Sequence, residues 1–421
     1  MKDKREKDAF SIIRKGGTKM AKPKLKEAVI VSGARTPMAH VMKGGKISAL
    51  KEVRPDELAR IAMKEALDRT KGLDWKEIDD VILGTAFPEG PTGMNVARRV
   101  LLRVGIPYTV PGVTINRFCS TGLQAIAFAA ERIMCGFADV IVAGGVESMS
   151  TYPMGEGTAI SVDPDMGDEE PNPYVSMGIT AENVAEKFNI SREDQDKFAL
   201  ESNLRACRAI KEGKFKDQIV PVKVKRKWVD DEGKVREEEK IFDMDNGPRC
   251  DASLKVMATL RPVFKKGGTV TAGNSSQMTD GAAVVVVMSK EKANELGLKP
   301  LGRFHCYAVA GVPPEIMGIG PSEAVPKVFK MAGMKLDQIE LIELNEAFAS
   351  QSVYCIRKLG LNPDIVNVNG GAIALGHPLG CAGAKLTIDL LYEMKRRDAH
   401  WGIVTMCIGG GMGAAAILER I

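Results

Sequence analysis

An α/β fold made of two similar halves is what this sequence predicts, and three observations carry the prediction. Short apolar runs alternate with segments of helical apolar period, the pattern of strands joined by helical crossovers in a mostly parallel sheet. GLDWKEIDDVILGTAF (72–87) aligns with GMKLDQIELIELNEAF (333–348), matching Gly72 with Gly333, Ile78 with Ile339 and Phe87 with Phe348. A second pair, 122–145 and 382–411, reads each time as a helix and then an apolar strand that ends in glycines. Long-range self-similarity of this kind is most simply two copies of one unit, packed back to back.

In chain order, EAVIVSGARTP (27–37) is a buried strand stopped by a turn at Pro37. RPDELARIAMKEALDRT (54–70) has its apolar residues at helical spacing, and IDDVILGTA (78–86) is a second strand. GLQAIAFAAERIMCG (122–136) is a helix and DVIVAGG (139–145) the strand after it. Residues 147–270 differ from everything around them. They start rich in Met, Gly and Pro (SMSTYPMGEGTAI), turn helical (MGITAENVAEKFNISREDQDKFALESNLRACRAIKEG) and end charged (VKVKRKWVDDEGKVREEEK). Insertions of that length usually serve function, whereas the charged run 223–240 reads as a solvated hairpin. The divisions expected are an extension (1–25), a first half (26–146, completed by 271–295), an insertion (147–270) and a second half (296–421).

The 421 residues, 44% hydrophobic and 27% charged, suffice for a large core in more than one lobe. A net charge of +5 is mild for this length, and outside the N-terminus the basic residues form no single tract. That argues against nucleic acid as a partner, while suiting a ligand that bears phosphates. No apolar run approaches the ~18 residues that cross a bilayer, so no membrane role is expected. The opening segment MKDKREKDAFSIIRKGGTKMAKPKLK lacks the apolar stretch of a secretory signal, and Asp3, Glu6 and Asp8 argue against a mitochondrial transit peptide. It reads as a loosely packed extension with Met20 as a second start, and Gly16-Gly17 and Gly44-Gly45 as bare turn signals. The eight cysteines (119, 135, 207, 250, 306, 355, 381 and 407) show no CxxC pair and no metal-ligand spacing. They are expected as reduced thiols in a cytoplasm, with Cys135, Cys207, Cys306 and Cys355 as small buried hydrophobes.

Chemistry concentrates in glycine-framed segments. Cys119, in NRFCSTGLQ, follows a strand-like PGVTIN and precedes a helix. The positive end of the helix dipole is expected to lower its pKa and favour thiolate. On this motif alone a buried structural cysteine is the favoured reading; the strand-to-helix elbow with small neighbours is what makes a nucleophile competitive. His377 lies in NGGAIALGHPLGCAG, with glycines on both sides and Pro378 behind to fix its ring against a ligand. His40, His305 and His400 have no such frame. Cys407 opens CIGGGMG, whose consecutive glycines free N–H groups to point at an oxyanion. No Lys-Ser/Thr pair follows those glycines, which weakens a phosphate-cradling reading. Asn345, in NEAFA after the strand LIEL, either positions a water or the histidine, or simply makes a turn.

NRFCSTG, NEAFA, GGAIALGHPLG and CIGGGMG, together with GPRC…LRPVF…TVTAGNSSQMTDGAA (247–283), resemble the thiolase superfamily from about residue 27 to the C-terminus. The resemblance implies two βαβαβαββ halves in a five-layered αβαβα core, with 147–270 as a loop domain that binds coenzyme A. It implies Cys119 as the acylated nucleophile, activated by His377. His377 and a water held by Asn345 would form one oxyanion hole, and the N–H groups of Cys119 and Gly409 the other. Cys407 would be the acid/base. Arg249, Ala272, Ser276 and Met177 match coenzyme A-contacting positions. Two positions depart from the family: a histidine beside Met177 is Ser176 here, and a serine near the adenine is Val256. Short-chain biosynthetic members typically keep that histidine, so its loss, with GHPLGCAG and SMG, looks more like the degradative members.

The function expected is therefore cleavage of a 3-ketoacyl-CoA by coenzyme A, as in fatty-acid β-oxidation, to acetyl-CoA and a shortened acyl-CoA. Coenzyme A serves as substrate, and no cofactor is tightly bound. The alternative within the family is an acetyl-CoA acetyltransferase in the condensing direction. A β-ketoacyl synthase would need a Cys-His-His centre, and His305 is a poor second histidine. A silent acyl-CoA-binding relative is disfavoured by both intact cysteine motifs. The resemblance also implies a homodimer or homotetramer, with a β-oxidation multienzyme as a further partner.

Overall fold

The structure, a computed structural model, describes residues 25–41, 48–152, 163–170, 172–230 and 232–421. Residues 1–24 of the expected extension, Gly16-Gly17, Gly44-Gly45 and 153–162 of the Met/Gly/Pro-rich stretch lie outside the described residues.

The first half runs β1 (Ala28–Arg35), β2 (Ala39–His40), α1 (Pro55–Asp68), β3 (Asp80–Gly84), α2 (Val96–Val104), β4 (Gly112–Ile115), α3 (Thr121–Met134) and β5 (Val140–Ser148). The following stretch holds α4 (Pro164–Glu169), α5 (Met177–Lys187), α6 (Arg192–Lys211), the hairpin β6 (Val222–Val229) and β7 (Val235–Phe242), and α7 (Leu254–Ala258). Then come β8 (Thr279–Ser289), α8 (Lys290–Glu295), β9 (Gly302–Gly311), α9 (Gly320–Ala332), β10 (Leu341–Leu344), α10 (Ala349–Leu359), α11 (Ala372–Leu375), α12 (Leu379–Arg397), β11 (Trp401–Ile408) and β12 (Met412–Glu419).

The strand order β4-β3-β5-β8-β1 in the first half is mirrored by β10-β11-β12-β9 in the second. Val366 bridges β10 in parallel at the place where β4 pairs with β3. The aligned repeats thus occupy equivalent places: a 3-10 turn leads into β3 from Trp75–Glu77 and into β10 from Leu336–Gln338. β1 and β9 join the halves antiparallel through Val29–Arg303 and Ile30–Gly302.

The expectation of a mostly parallel sheet is corrected. Among the named strands only β3–β4, β3–β5 and β10–β11 pair in parallel. β12 returns from β11 through the tight turn 409–411 and so runs antiparallel between β11 and β9. β8, reached only after the inserted stretch, likewise runs antiparallel between β5 and β1.

Burial on both faces explains why the strands read as continuous apolar runs rather than alternating ones. Val140 and Val142 of β5 face α1 and α2, while Ile141 and Ala143 face α3. In the second half Ile403 of β11 packs with α9 and α10, while Val404 and Met406 face α12. The order is α1/α2, sheet, α3/α12, sheet, α9/α10, five layers in all. The two central helices touch through backbone: a Cβ on Gly122 would lie 2.7 Å from Ala384 N.

α5 and α6 leave the half that precedes them and pack on loops of the other. Ala181 of α5 clusters with Ala347, Phe348 and Cys407, and Ala206 and Ala209 of α6 with Ala374 and Leu375. β6 and β7 form the expected charged hairpin, with Lys227 paired to Glu237 at 2.9 Å.

The cysteine reading needs two corrections. Cys207 of α6 and Cys250 form a disulfide across 43 residues, with a Cα–Cα separation of 5.7 Å. Only the fold brings α6 beside the 245–252 segment, so spacing along the chain could not reveal the pair. Of the other supposed core thiols, Cys355 is buried, but Cys306 is half-buried and Cys135, which ends α3, is exposed.

Candidate active site

Cys119 sits in a single 3-10 turn, Phe118–Ser120, between β4 and α3. The elbow is tied by its own side chains: Asn116 accepts the Phe118 N–H at 2.7 Å, and Thr121 Oγ1 accepts the Arg117 N–H at 2.8 Å. Phe118 is held at φ +43°, a left-handed conformation that costs a bulky residue roughly 1–3 kcal/mol and persists only where the surroundings impose it.

The sulfur is buried, and its predicted acidity is reversed. Burial pushes the Cys119 thiol up to about 11, Glu147 adds to the rise, and the N–H groups of Gly409 and of Cys119 itself pull it down. Desolvation of the thiolate outweighs the helix terminus. The thiol is therefore neutral at rest. Alkylation of Cys119 by iodoacetamide is expected to accelerate about tenfold per pH unit from pH 6.5 to 9.5, as the thiolate fraction rises toward a high pKa. A plateau below pH 8 would contradict this assignment.

His377 is buried in the loop between α11 and α12. Its N–H donates to the Gln277 carbonyl at 3.0 Å, and Gln277 Nε2 donates back to the carbonyls of Gly247 (3.0 Å) and Ile373 (2.9 Å). Glu346 braces the same loop by accepting from Ile373 N–H (3.1 Å), Ser202 Oγ (2.6 Å) and Asn367 Nδ2 (2.8 Å). Burial, with the Lys385 ammonium second, brings the imidazole down to about 4, so it is neutral at physiological pH. Asn345, at the end of β10, places its amide Nδ2 3.3 Å from His377 Nε2. Among the described residues Nδ1 has no hydrogen-bond partner.

Cys407 closes β11 with its thiol fully buried. Desolvation raises its pKa well above the ordinary value, and Cys119 contributes the next largest push, which puts the two sulfurs within electrostatic reach. The chain then turns through Gly410 and Gly411 at φ +79° and +85°. A Cβ on Gly411 would also strike the backbone at Val312 and Pro314, so this turn is open only to glycine.

The structure therefore brings Cys119 to Gly409, Asn345 to His377, and Cys407 near Cys119. Met177 opens α5 with its sulfur 3.4 Å from where a Gly409 Cβ would stand. Ser276 lies beside NEAFA, its N–H donating to Ala347 O at 2.9 Å. Arg249 and Ala272 are exposed and adjacent, Arg249 Nη1 lying 3.4 Å from Ala272 O. Ser176 stands at the N-cap position of α5 without a side-chain capping hydrogen bond and is exposed, as is Val256. Among the described residues no cluster of His, Cys, Asp or Glu has metal-binding geometry, and no helix is long and apolar enough to cross a membrane.

Sequence reasoning missed Gln277, Glu346 and Glu147. The signal for Glu147 was a lone acid at the end of the apolar run VIVAGGVES, a place where a carboxylate is rare unless bonded. Gln277 and Glu346 carried no local signal, because their partners lie in distant loops.

Comparison with known proteins decides the family. The model for the thiolase N-terminal domain matches residues 28–291, and that for the thiolase C-terminal domain matches 298–420. The chain belongs to the thiolase family. This thiolase, and so acyltransferase, is 54% identical over 395 residues to the 3-ketoacyl-CoA thiolase of Bacillus subtilis (strain 168), spanning 94% of this chain and all of that one. It is 45% identical to the peroxisomal 3-ketoacyl-CoA thiolase 1 of Arabidopsis thaliana, over 94% of this chain and 88% of that one. It is also 45% identical to an acetyl-CoA acetyltransferase of Chromobacterium violaceum, over 94% of this chain and 100% of that one. The crystal structure of the Bacillus anthracis acetyl-CoA acetyltransferase superimposes with a TM-score of 0.84 at 42% identity, covering 95% of this chain and 100% of that one.

Proposed function

We propose that this thiolase is a 3-ketoacyl-CoA thiolase of fatty-acid breakdown. The chemistry rests on Cys119 and the glycine loop of Cys407 meeting from opposite halves, where the N–H groups of Cys119 and Gly409 favour negative charge on the sulfur, and on the Asn345–His377 contact beside them. Donors so placed hold negative charge that develops beside the attacking sulfur. The thiol of Cys119 adds to the C3 carbonyl of a 3-ketoacyl-CoA while its proton passes to His377, whose neutral imidazole can accept it. The C2–C3 bond breaks, the acyl group stays on Cys119, and the leaving acetyl-CoA enolate takes the proton of Cys407 at carbon. His377 and Asn345 hold the thioester oxygen of that enolate. The Cys407 thiolate then removes the proton of a second coenzyme A thiol, which attacks the acyl-cysteine; the shortened acyl-CoA leaves as the Cys119 thiolate takes its proton back from His377.

Residues 147–270 serve in this reading as the coenzyme A-binding insertion, in keeping with the packing of α5 and α6 on the loops of Asn345 and His377. Arg249, Ala272, Ser276 and Met177 line the nucleotide and acyl ends. Coenzyme A is a substrate, with no tightly bound cofactor, and the enzyme works in the cytoplasm as a homodimer or homotetramer. The small, exposed Ser176 beside Met177 and the 54% identity to a relative named for 3-ketoacyl-CoA favour longer acyl chains. Relatives named acetyl-CoA acetyltransferase support the second reading, an acetoacetyl-specific enzyme run toward condensation. A steady-state series of 3-ketoacyl-CoA substrates of increasing chain length separates them. Comparable or higher kcat/KM beyond four carbons is expected; activity confined to acetoacetyl-CoA would leave only the second reading.

A further inference from the structure

The two reacting side chains belong to different halves of the molecule: Cys119 precedes α3, and His377 precedes α12. Among the named strands, pairing between the halves amounts to two residue pairs of β1 and β9, and the 274–277 segment adds backbone hydrogen bonds to Ala347, Ala349 and His377. A catalytic contact built across such a seam needs its own brace, since a displacement of about 1 Å can cost on the order of 100-fold in rate.

Glu147 lies at the seam. It is 3% exposed near the end of β5, where an unbonded carboxyl group would be strongly destabilising. Its Oε2 accepts the N–H of Ala86 at 2.7 Å and the N–H of Gly380 at 2.9 Å, and its Oε1 accepts the Thr85 hydroxyl at 3.0 Å. Thr85 and Ala86 follow β3 in the first half; Gly380 is three residues past His377, in the first turn of α12. The backbones meet there with nothing between them. A Cβ on Gly380 would stand 2.6 Å from Thr85 Cα and 2.9 Å from Glu147 Oε2, and one on Gly145 would collide with Gly380 O.

We propose that Glu147 is a positioning residue, whose carboxyl group clamps the His377–Gly380 turn of the second half to the Cys119 side of the first. The inference rests on the roles assigned above to Cys119 and His377. Burial raises the carboxyl to about 7 against the pull of its donors, the N–H of Phe87 among them. Reach, rather than fixed charge, is therefore what the clamp requires.

Two substitutions separate reach from charge. Glu147→Gln keeps an oxygen at the same distance and drops the charge; Glu147→Asp keeps the charge and falls short by one methylene, about 1.5 Å. Turnover is normalised to Cys119 alkylation quantified on its own peptide by mass, since the exposed Cys135 also reacts, and thermal midpoints are recorded alongside. Glu147→Gln is expected to retain at least about a third of kcat. Glu147→Asp is expected to lose on the order of 10- to 100-fold in kcat, with KM for coenzyme A and for acyl-CoA within twofold of the parent. Three results overturn the proposal: full kcat in Glu147→Asp, an equal loss in Glu147→Gln, or a lowered midpoint with kcat per titrated thiol unchanged. Should Glu147→Asp not fold, Thr85→Val removes one donor and is expected to lower kcat about three- to tenfold at constant KM; no loss there overturns it too. Cys119→Ala assayed in parallel keeps the two ideas apart. An active Cys119→Ala enzyme would defeat the underlying mechanism, whereas an inactive one beside an unimpaired Glu147→Asp would defeat the clamp alone.

Discussion

Cys119→Ala is expected to lower thiolytic turnover by on the order of 10⁴-fold or more, because it removes the atom that carries the acyl group between the two half-reactions. No neighbouring thiol can take over. Cys407 is buried at the end of β11, and Cys381 lies buried within α12, its thiol pushed far up by burial. The loss should not be one of folding. A cysteine-to-alanine change in the cluster around α3 removes a single buried sulfur, worth about 1–2 kcal/mol, and the Asn116 and Thr121 hydrogen bonds that shape the elbow remain. Steady-state assay with a circular dichroism melt checks both parts. More than about 1% residual turnover in a folded variant would be incompatible with the acyl-cysteine route.

Cys407→Ala has the second largest expected effect, and a different one. The nucleophile, the facing N–H groups and the Asn345–His377 pair are all retained, so a single acylation of Cys119 by acetyl-CoA should proceed. Cleavage and formation of the carbon–carbon bond should fall by on the order of 10²–10⁴-fold, the usual size of a proton-transfer contribution. The neutral resting state explains why both thiols are required. With Cys119 and Cys407 raised by burial and His377 lowered, none of the three starts as an ion, and each proton moves only as the bond it assists changes. An unimpaired Cys407→Ala enzyme would contradict the division into nucleophile and acid/base.

Much of this was legible in the chain, for definite reasons. Glycine-framed side chains stand out because close backbone approach excludes a Cβ, as at Gly411. The two repeats stand out because each half must present the same buried strands to the same kinds of helix. Other features could not be read. The direction in which β8 and β12 run is decided by where their connections deliver the chain, a tight turn for β12 and the long inserted stretch for β8, which apolar periodicity does not report. The Cys207–Cys250 bond depends on α6 crossing over to the second half. Sequence reasoning gave Cys119 a low pKa because a helix terminus is a local feature; the burial that reverses it is a property of the whole assembly. Glu147, Gln277 and Glu346 act between segments far apart in sequence, so their purpose emerges only when Ala86 and Gly380, or Gly247 and Ile373, become neighbours.

The central claim is that the acyl group resides on Cys119 while Cys407 moves protons. Incubating Cys407→Ala protein with acetyl-CoA alone, then digesting it and mapping peptides by mass, tests that claim most directly. One acetyl group per chain is predicted, on the peptide containing Cys119 and absent from Cys119→Ala protein treated in the same way. An acetyl group on any other residue, or none on the peptide of Cys119, would contradict it.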